Sequence, residues 1–388
     1  MGRSEGESLQ MNDLKALTLG AGFAGQGHSE AFRAQGVKIV GMASRTKDVV
    51  DRVTKEMDIP YASDDWRQAM DEVDPDIVLV GTPGGAHYEP VLAAIERGCH
   101  VFCDKPITTS ALQAQMMYRA AREKGVKTAF AASFRYQPHA LLARQLVADG
   151  VIGVPWEAEC VSHYNLDPLI PFGWSHRIDL GGGRLSNNFT HKLSICEHVL
   201  DGHIIAVNGE ARNDMPRAPV VEEVHDFRKR GEFAPDSEDE VERWESADSE
   251  WTYTVMARLS AGLPTAQPVS TLFKHGGLQP RYQDDYVAFY GSEGAIFIKD
   301  AYAQGPLFVK SRKGSWEEVA VPASITDSLA DIRDDTQRNW TRLAELFVAD
   351  IRGESVEPYQ MFRNGWVYQS TIDAIRDGNG WVEIAQDC

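Results

Sequence analysis

Residues 14–35 constrain the fold more than any other part of the chain. A short run rich in apolar residues, Leu14-Lys15-Ala16-Leu17-Thr18-Leu19, is long enough for a buried strand. It runs into Gly20-Ala21-Gly22-Phe23-Ala24-Gly25, a G-x-G-x-x-G. Ala24, Ala31 and Phe32 then follow at helical spacing, closed by Gly36. Each glycine has a physical task. Gly20 lets the chain turn sharply off the strand, Gly22 removes a Cβ where a pyrophosphate would approach, and Gly25 lets the helix lie close to the sheet. The free N–H groups and the dipole at the helix start then face the phosphates. A second strand at residues 37–43 supplies the required context, so the stretch reads as a dinucleotide site, with a plain Gly-rich turn as the alternative.

The same rhythm continues through the first third. Residues 47–57 read as a helix ended by Ile59-Pro60, and Asp64 or Asp65 caps a short helix to about residue 72. Residues 76–81 form an apolar strand, 88–97 a helix stopped by Gly98, and 100–103 the next strand. Thr109 or Ser110 caps a helix to Lys124, before Gly125 and a strand at 126–134. Such βαβ alternation predicts a doubly wound parallel sheet over residues 14–137, with its ligand beyond the carboxyl ends of the strands. After Pro138 a helix to Asp149 is followed by strand-like runs at 155–164, 204–212, 249–259, 269–275, 285–290, 295–299 and 307–310. Few helices separate them, which predicts an open antiparallel β-sheet in a second domain, residues 138–388. Residues 335–352 and 365–377 read as amphipathic helices. Residues 1–13 read as a disordered leader.

A chain of 388 residues exceeds the usual single core, in keeping with two domains. The net charge of −18, with no basic stripe, disfavours nucleic acid and anionic membranes as partners. Residues 222–250 hold twelve acids against four Lys and Arg, and an acidic insertion at about 215–250 reads as a solvated excursion. Five scattered cysteines without a C-x-x-C fit a reduced, cytoplasmic protein. No Cys/His cluster has metal-ligand spacing, so no metal is expected. No apolar run reaches membrane-spanning length.

Four stretches carry candidate chemistry. The second strand ends in Ala43-Ser44-Arg45, without the acid that an NAD site presents to the ribose, so Ser44 and Arg45 lean to NADP without excluding NAD. Thr82-Pro83 would back the nicotinamide ribose, and His87 is either part of that site or a packing histidine. Asp104-Lys105-Pro106 ends the fifth strand, where a lysine can hydrogen-bond a substrate hydroxyl and help carry its proton. A surface lysine before a turn proline is the alternative. In Gly181-Gly182-Gly183-Arg184-Leu185-Ser186-Asn187-Asn188-Phe189-Thr190-His191, Asn187 and His191 stand at i and i+4 of a helix to about Leu200. A histidine beside a lysine and a carbinol is a general-base arrangement.

Together these stretches resemble the Gfo/Idh/MocA oxidoreductases, the glucose–fructose oxidoreductase and inositol dehydrogenase family, over most of the chain. The motifs are the three glycines, Thr82-Pro83 with His87, Asp104-Lys105-Pro106 in place of E-K-P, Phe134-Arg135-Tyr136-Gln137-Pro138, the residues Gly181 to His191, and Tyr290-Gly291-Ser292-Glu293-Gly294. The resemblance implies a Rossmann domain beside an open antiparallel sheet. It also implies hydride transfer between a sugar-like carbinol and NAD(P), with Lys105 and His191 in the catalytic positions. Asn187 stands where the family carries an aspartate. An amide cannot take a proton, but it can hold a hydroxyl or a neighbouring side chain. Arg135, Tyr136, His163, Tyr164, Trp174, His176, Arg177, Asn187 and His191 are expected to shape the substrate pocket, with arginines suiting an anionic substituent. Two alternatives stay open. One is a glycoside hydrolase that oxidises its sugar transiently, eliminates the aglycone, hydrates and reduces back; the other is a non-catalytic cofactor-binding regulator. An exposed sheet predicts a homodimer or homotetramer.

Overall fold

The computed structural model describes residues 14–221, 227–280 and 284–387. The expected leader at residues 1–13 and part of the acidic insertion lie outside the described residues.

Short apolar strands alternating with helices build the first layer. They are β1 (Lys15–Leu19), α1 (Phe23–Arg33), β2 (Lys38–Ala43), α2 (Lys47–Glu56), β3 (Ala62–Ser63), α3 (Trp66–Val73), β4 (Ile77–Val80), α4 (Tyr88–Glu96), β5 (His100–Cys103), α5 (Ala111–Lys124) and β6 (Thr128–Phe130). The sheet is parallel, in the order β3-β2-β1-β4-β5-β6, a doubly wound sheet whose order reverses between β1 and β4. All four residues of β4 are buried, as a central parallel strand covered on both faces requires. Asp65 caps α3 by accepting the Arg67 and Gln68 N–H groups. Ser110 stands at the N-cap of α5 but makes no side-chain cap bond. The Ala111 N–H is instead taken by Asp373 at 2.8 Å, from a helix 262 residues later, a partner no local pattern reveals.

After α6 (Pro138–Ala148) the chain builds a second sheet. Its parts are β7 (Pro155–His163), α7 (Thr190–Leu200), β8 (Ile204–Arg212), β9 (Arg217–Pro219), β10 (Trp244–Ser246), β11 (Thr252–Leu259), β12 (Val269–Gly276), β13 (Tyr286–Gly291), β14 (Gly294–Lys299), β15 (Leu307–Ser311) and β16 (Glu317–Val319). Three helices follow, α8 (Ala323–Thr326), α9 (Asp335–Ile351) and α10 (Phe362–Asp377), and then β17 (Val382–Glu383). Nine strands run β16-β15-β14-β13-β7-β12-β11-β8-β17, while β9 and β10 pair separately inside the acidic stretch. The sheet is mixed rather than purely antiparallel: β12 lies parallel to β7, with Phe273 opposite Cys160. More than a hundred residues separate those strands, so residue pattern cannot fix their relative direction.

The end of the chain returns to the first sheet. Trp340, Leu343, Phe347 and Tyr359 share one core with Ala16, Phe32, Leu79 and Phe102. A second core runs through both domains, joining Val78, Val101 and Cys103 to Leu193, Tyr253 and Phe273. Among the described residues no helix is long and apolar enough to cross a membrane.

Candidate active site at the domain junction

The carboxyl ends of β1, β2, β4 and β5 lie along one edge of the first sheet. Gly20 leaves β1 at φ +107°, and its N–H donates to Ala43 O at 2.8 Å. A Cβ on Gly25 would fall 1.8 Å from Gly20 O, so only glycine lets α1 start this close to the turn. A Cβ on Gly22 would meet no atom within 4 Å. The helix start beside it carries no side-chain cap and no first-turn acid. Uncapped N–H groups facing open space fit the pyrophosphate of a dinucleotide. Phe23 and Ala24 follow in the first turn, the Phe23 ring lying 5.1 Å from Trp340. Ser44 and the exposed Arg45 stand past the end of β2.

Thr82 and Pro83 follow β4, and Thr82 Oγ1 is buried with no partner among the described residues. His87 is fully buried, its ring nitrogens 2.7 Å from Thr82 O and 3.2 Å from Ile107 O. It ties the turn after β4 to the loop after β5.

Asp104 and Lys105 end β5. The Lys105 Nζ donates to Asn187 Oδ1, so residues 82 positions apart meet at the junction of the domains. Burial lowers the Lys105 ammonium from the usual lysine range, opposed by Asp104 and helped by Arg184. Burial also pushes the Asp104 carboxyl up to about 6, against the pull of Lys105. Its Oδ1 has no partner among the described residues. The helical turn bearing Asn187 is widened: residues Leu185–Phe189 form a π turn before α7 begins at Thr190. Such turns shift the register of side chains and recur at functional sites. His191 stacks on Phe134 with centroids 4.2 Å apart and meets Tyr302 edge-on at 5.7 Å. Burial first, and the Lys105 charge second, hold its imidazole well below the usual histidine range. His191 Nδ1 is buried with no partner among the described residues.

The expected pocket residues separate into two groups. Tyr164 contacts Arg184, at 5.7 Å from ring to guanidinium, and packs edge-on against His275. His176 lies buried against Phe172 and Trp251, and Trp174 stands two residues before it. His163 lies at the end of β7, its N–H bonded to Asp285. By contrast, Tyr136 is buried in the core of the first sheet. Arg135 donates to Ser194 Oγ and O at 3.1 and 3.2 Å, and Arg177 pairs with Asp179 at 2.6 Å near the surface. Arg184 and Trp251 line the cleft beside Asn187, with Arg230 against Trp251 and Tyr302 against His191, and none of the four is among the expected pocket residues. Arg184 lay inside a motif already singled out, but Arg230, Trp251 and Tyr302 arrive from distant loops that carry no motif.

Residues 14–132 match the family model described as oxidoreductase family, NAD-binding Rossmann fold, and residues 140–297 match the GFO/IDH/MocA C-terminal domain. A levoglucosan dehydrogenase of Pseudarthrobacter phenanthrenivorans is 25% identical over 54% of this chain and 57% of its own. A 1,5-anhydro-D-fructose reductase of Ensifer adhaerens is 31% identical over 44% of this chain and 51% of its own. The chain thus spans little more than half the length of the relatives it matches. In fold the likeness is complete: a solved levoglucosan dehydrogenase, in complex with NADH and L-sorbose, superposes with a TM-score of 0.79 over 96% of this chain and 99% of that one, at 21% identity. With both of its domains matched in order, the chain belongs to the Gfo/Idh/MocA family of oxidoreductases.

Proposed function

We propose that the chain is an NAD(P)-dependent dehydrogenase or reductase acting on a carbinol of a sugar, polyol or sugar derivative. The observation that carries this reading is the meeting of Lys105, Asn187 and His191 at the carboxyl edge of the first sheet, in a family whose named relatives include sugar dehydrogenases and reductases. The bound nicotinamide supplies the hydride acceptor or donor. Lys105 Nζ holds the carbinol oxygen and favours its alkoxide character. The His191 imidazole accepts the hydroxyl proton in oxidation and returns it in reduction. Its depressed proton affinity keeps the imidazole neutral and ready near pH 7. Asn187 positions Lys105, and unlike an aspartate it adds no negative charge. Ser44 and Arg45, with no acid at that strand end, favour NADP.

The open face of the second sheet carries Tyr286, Tyr290 and Phe297, a surface suited to a homodimer or homotetramer. The four described cysteines are buried and form no disulfide among the described residues, in keeping with a reducing cytoplasm.

The test incubates the purified protein with NAD+ or NADP+ and a panel of sugars and polyols, following reduced-nicotinamide absorbance. Turnover is expected with at least one sugar, faster with NADP+. H191N is expected to lose on the order of 10²- to 10⁴-fold in kcat with cofactor affinity retained. Aglycone release without net cofactor reduction would replace this reading with the hydrolase. Cofactor binding with neither reaction would replace it with the regulator.

A further inference from the structure

The cleft beside Asn187 is lined by Ser175, Gly183, Arg184, Asn187, Glu250 and Trp251. Two guanidinium groups reach the same Trp251 ring: Arg184 at 4.7 Å and Arg230 at 5.9 Å from its centroid. Arg230 is only 9% exposed, and among the described residues its guanidinium donates to Ser175 Oγ. Neither arginine has a carboxylate within ion-pair distance among the described residues. Two guanidinium charges drawn to one indole, with no carboxylate among the described residues at ion-pair distance, cost free energy that a bound anion would recover. Each also depresses the ionisation of its neighbours. Burial and Arg184 bring Arg230 down to about 10. Burial, Arg230 and Arg184 together bring His176 down to about 4, only partly offset by the Gly173 N–H contact.

His176 adds a third donor. Its Nδ1 accepts the Gly173 N–H at 3.1 Å, which places the ring proton on Nε2. That Nε2 is buried and has no acceptor among the described residues. Among the described residues the acid lining the cleft is already engaged: Glu250 pairs with Arg376 at 3.0 Å and accepts the Leu185 N–H at 2.9 Å. The donors outnumber the acceptors, and the excess is positive.

We infer that the substrate carries a carboxylate, which docks against Arg184 and Arg230 beside Trp251 and accepts the His176 Nε2 proton as a hydrogen bond. The inference rests on the dehydrogenase reading for the reacting end and names the class of substrate: an acidic sugar such as a uronate or an aldonate. Asn187 both lines this cleft and holds Lys105, so the anionic end and the reacting carbinol belong to one small molecule. A guanidinium fork matches the planar carboxylate, and the indole face takes the C–H surface of the ring beside it.

The experiment compares matched pairs, D-glucose with D-glucuronate and D-galactose with D-galacturonate, with glucose 6-phosphate as a third arm. Initial rates are measured with the cofactor-loaded enzyme, and binding is measured separately by calorimetry with reduced cofactor present. The acid member is expected to win in kcat/KM, and R230M to reduce the acid-to-neutral ratio about 10- to 100-fold. R230K should recover part of it. R217M, at an exposed arginine stacked on Trp244, should leave the ratio as it is. Equal use of acid and neutral sugars, or a ratio unmoved in both R230M and R184Q variants of unchanged melting temperature, overturns the inference. A better response to the phosphate ester than to the uronate overturns the carboxylate assignment. Uronate binding that depends on Arg230 without hydride transfer supports the site while defeating the dehydrogenase reading. Turnover of neutral sugars without preference does the reverse.

Discussion

Lys105 and His191 differ in how their ionisation is set, and that difference can be measured. Burial dominates both, but His191 also feels the Lys105 charge directly. In K105M the burial remains and the charge goes, so the imidazole recovers proton affinity. The acid limb of the kcat/KM profile should therefore move to higher pH, while kcat falls by on the order of 10²-fold or more. A profile of unchanged shape, merely scaled down, would show that the two side chains do not act on one oxygen. Both residues were legible in the sequence because each ends or opens an element at a short motif. The arginines behind them were not equally legible. Arg135 and Arg177 attracted attention by closeness to motifs, yet one is bonded to Ser194 and the other to Asp179. Arg184 and Arg230 become distinctive only once folding removes them from water beside a single indole.

At the scale of elements, the βαβ rhythm was readable because buried parallel strands and capped helices leave local signatures. The direction of β12 against β7 and the Asp373 cap on α5 were not, since both join residues remote in sequence. The glycine turn gives the sharpest element-level test. G25A places a methyl group 1.8 Å from a backbone oxygen of Gly20, and neither backbone can withdraw without opening the β1–α1 turn. This variant should lose several degrees of melting temperature and most of its cofactor affinity. G22A places its methyl group where no protein atom lies within 4 Å. It should melt like the parent and still bind cofactor at least tenfold more weakly, because only a ligand meets the new group. Thermal melts with and without NADP+ separate the two. Equal cofactor affinity in G22A and the parent would remove the pyrophosphate from this turn.

Across the whole molecule, the interior of the second domain holds a buried ionisable group that makes stability depend on pH. Lys192, on α7, is fully buried; its Nζ donates to Ser162 Oγ and Lys274 O at 2.7 Å each, 5.3 Å from the Tyr253 ring. The other groups facing it are Cys160, Cys196, Asp285, Asp300 and the neutral His275, which shares Ser162. Burial brings its ammonium down to about 8, the thiols and carboxylates opposing that shift. Between that value and the ordinary 10.5, the unfolded chain holds a proton that the native chain has released. Native stability must then rise with pH through this window, and below it the full penalty of the buried charge is present. The shift corresponds to roughly 3 kcal/mol. In K192M the proton is absent from both states, and titrations elsewhere are common to the two proteins. The stability of the parent relative to K192M, from urea melts, should therefore increase by roughly 3 kcal/mol between pH 7 and 10.5. A constant difference across that range would mean that Lys192 keeps its proton in the native interior, with its charge balanced there by Asp285 and Asp300.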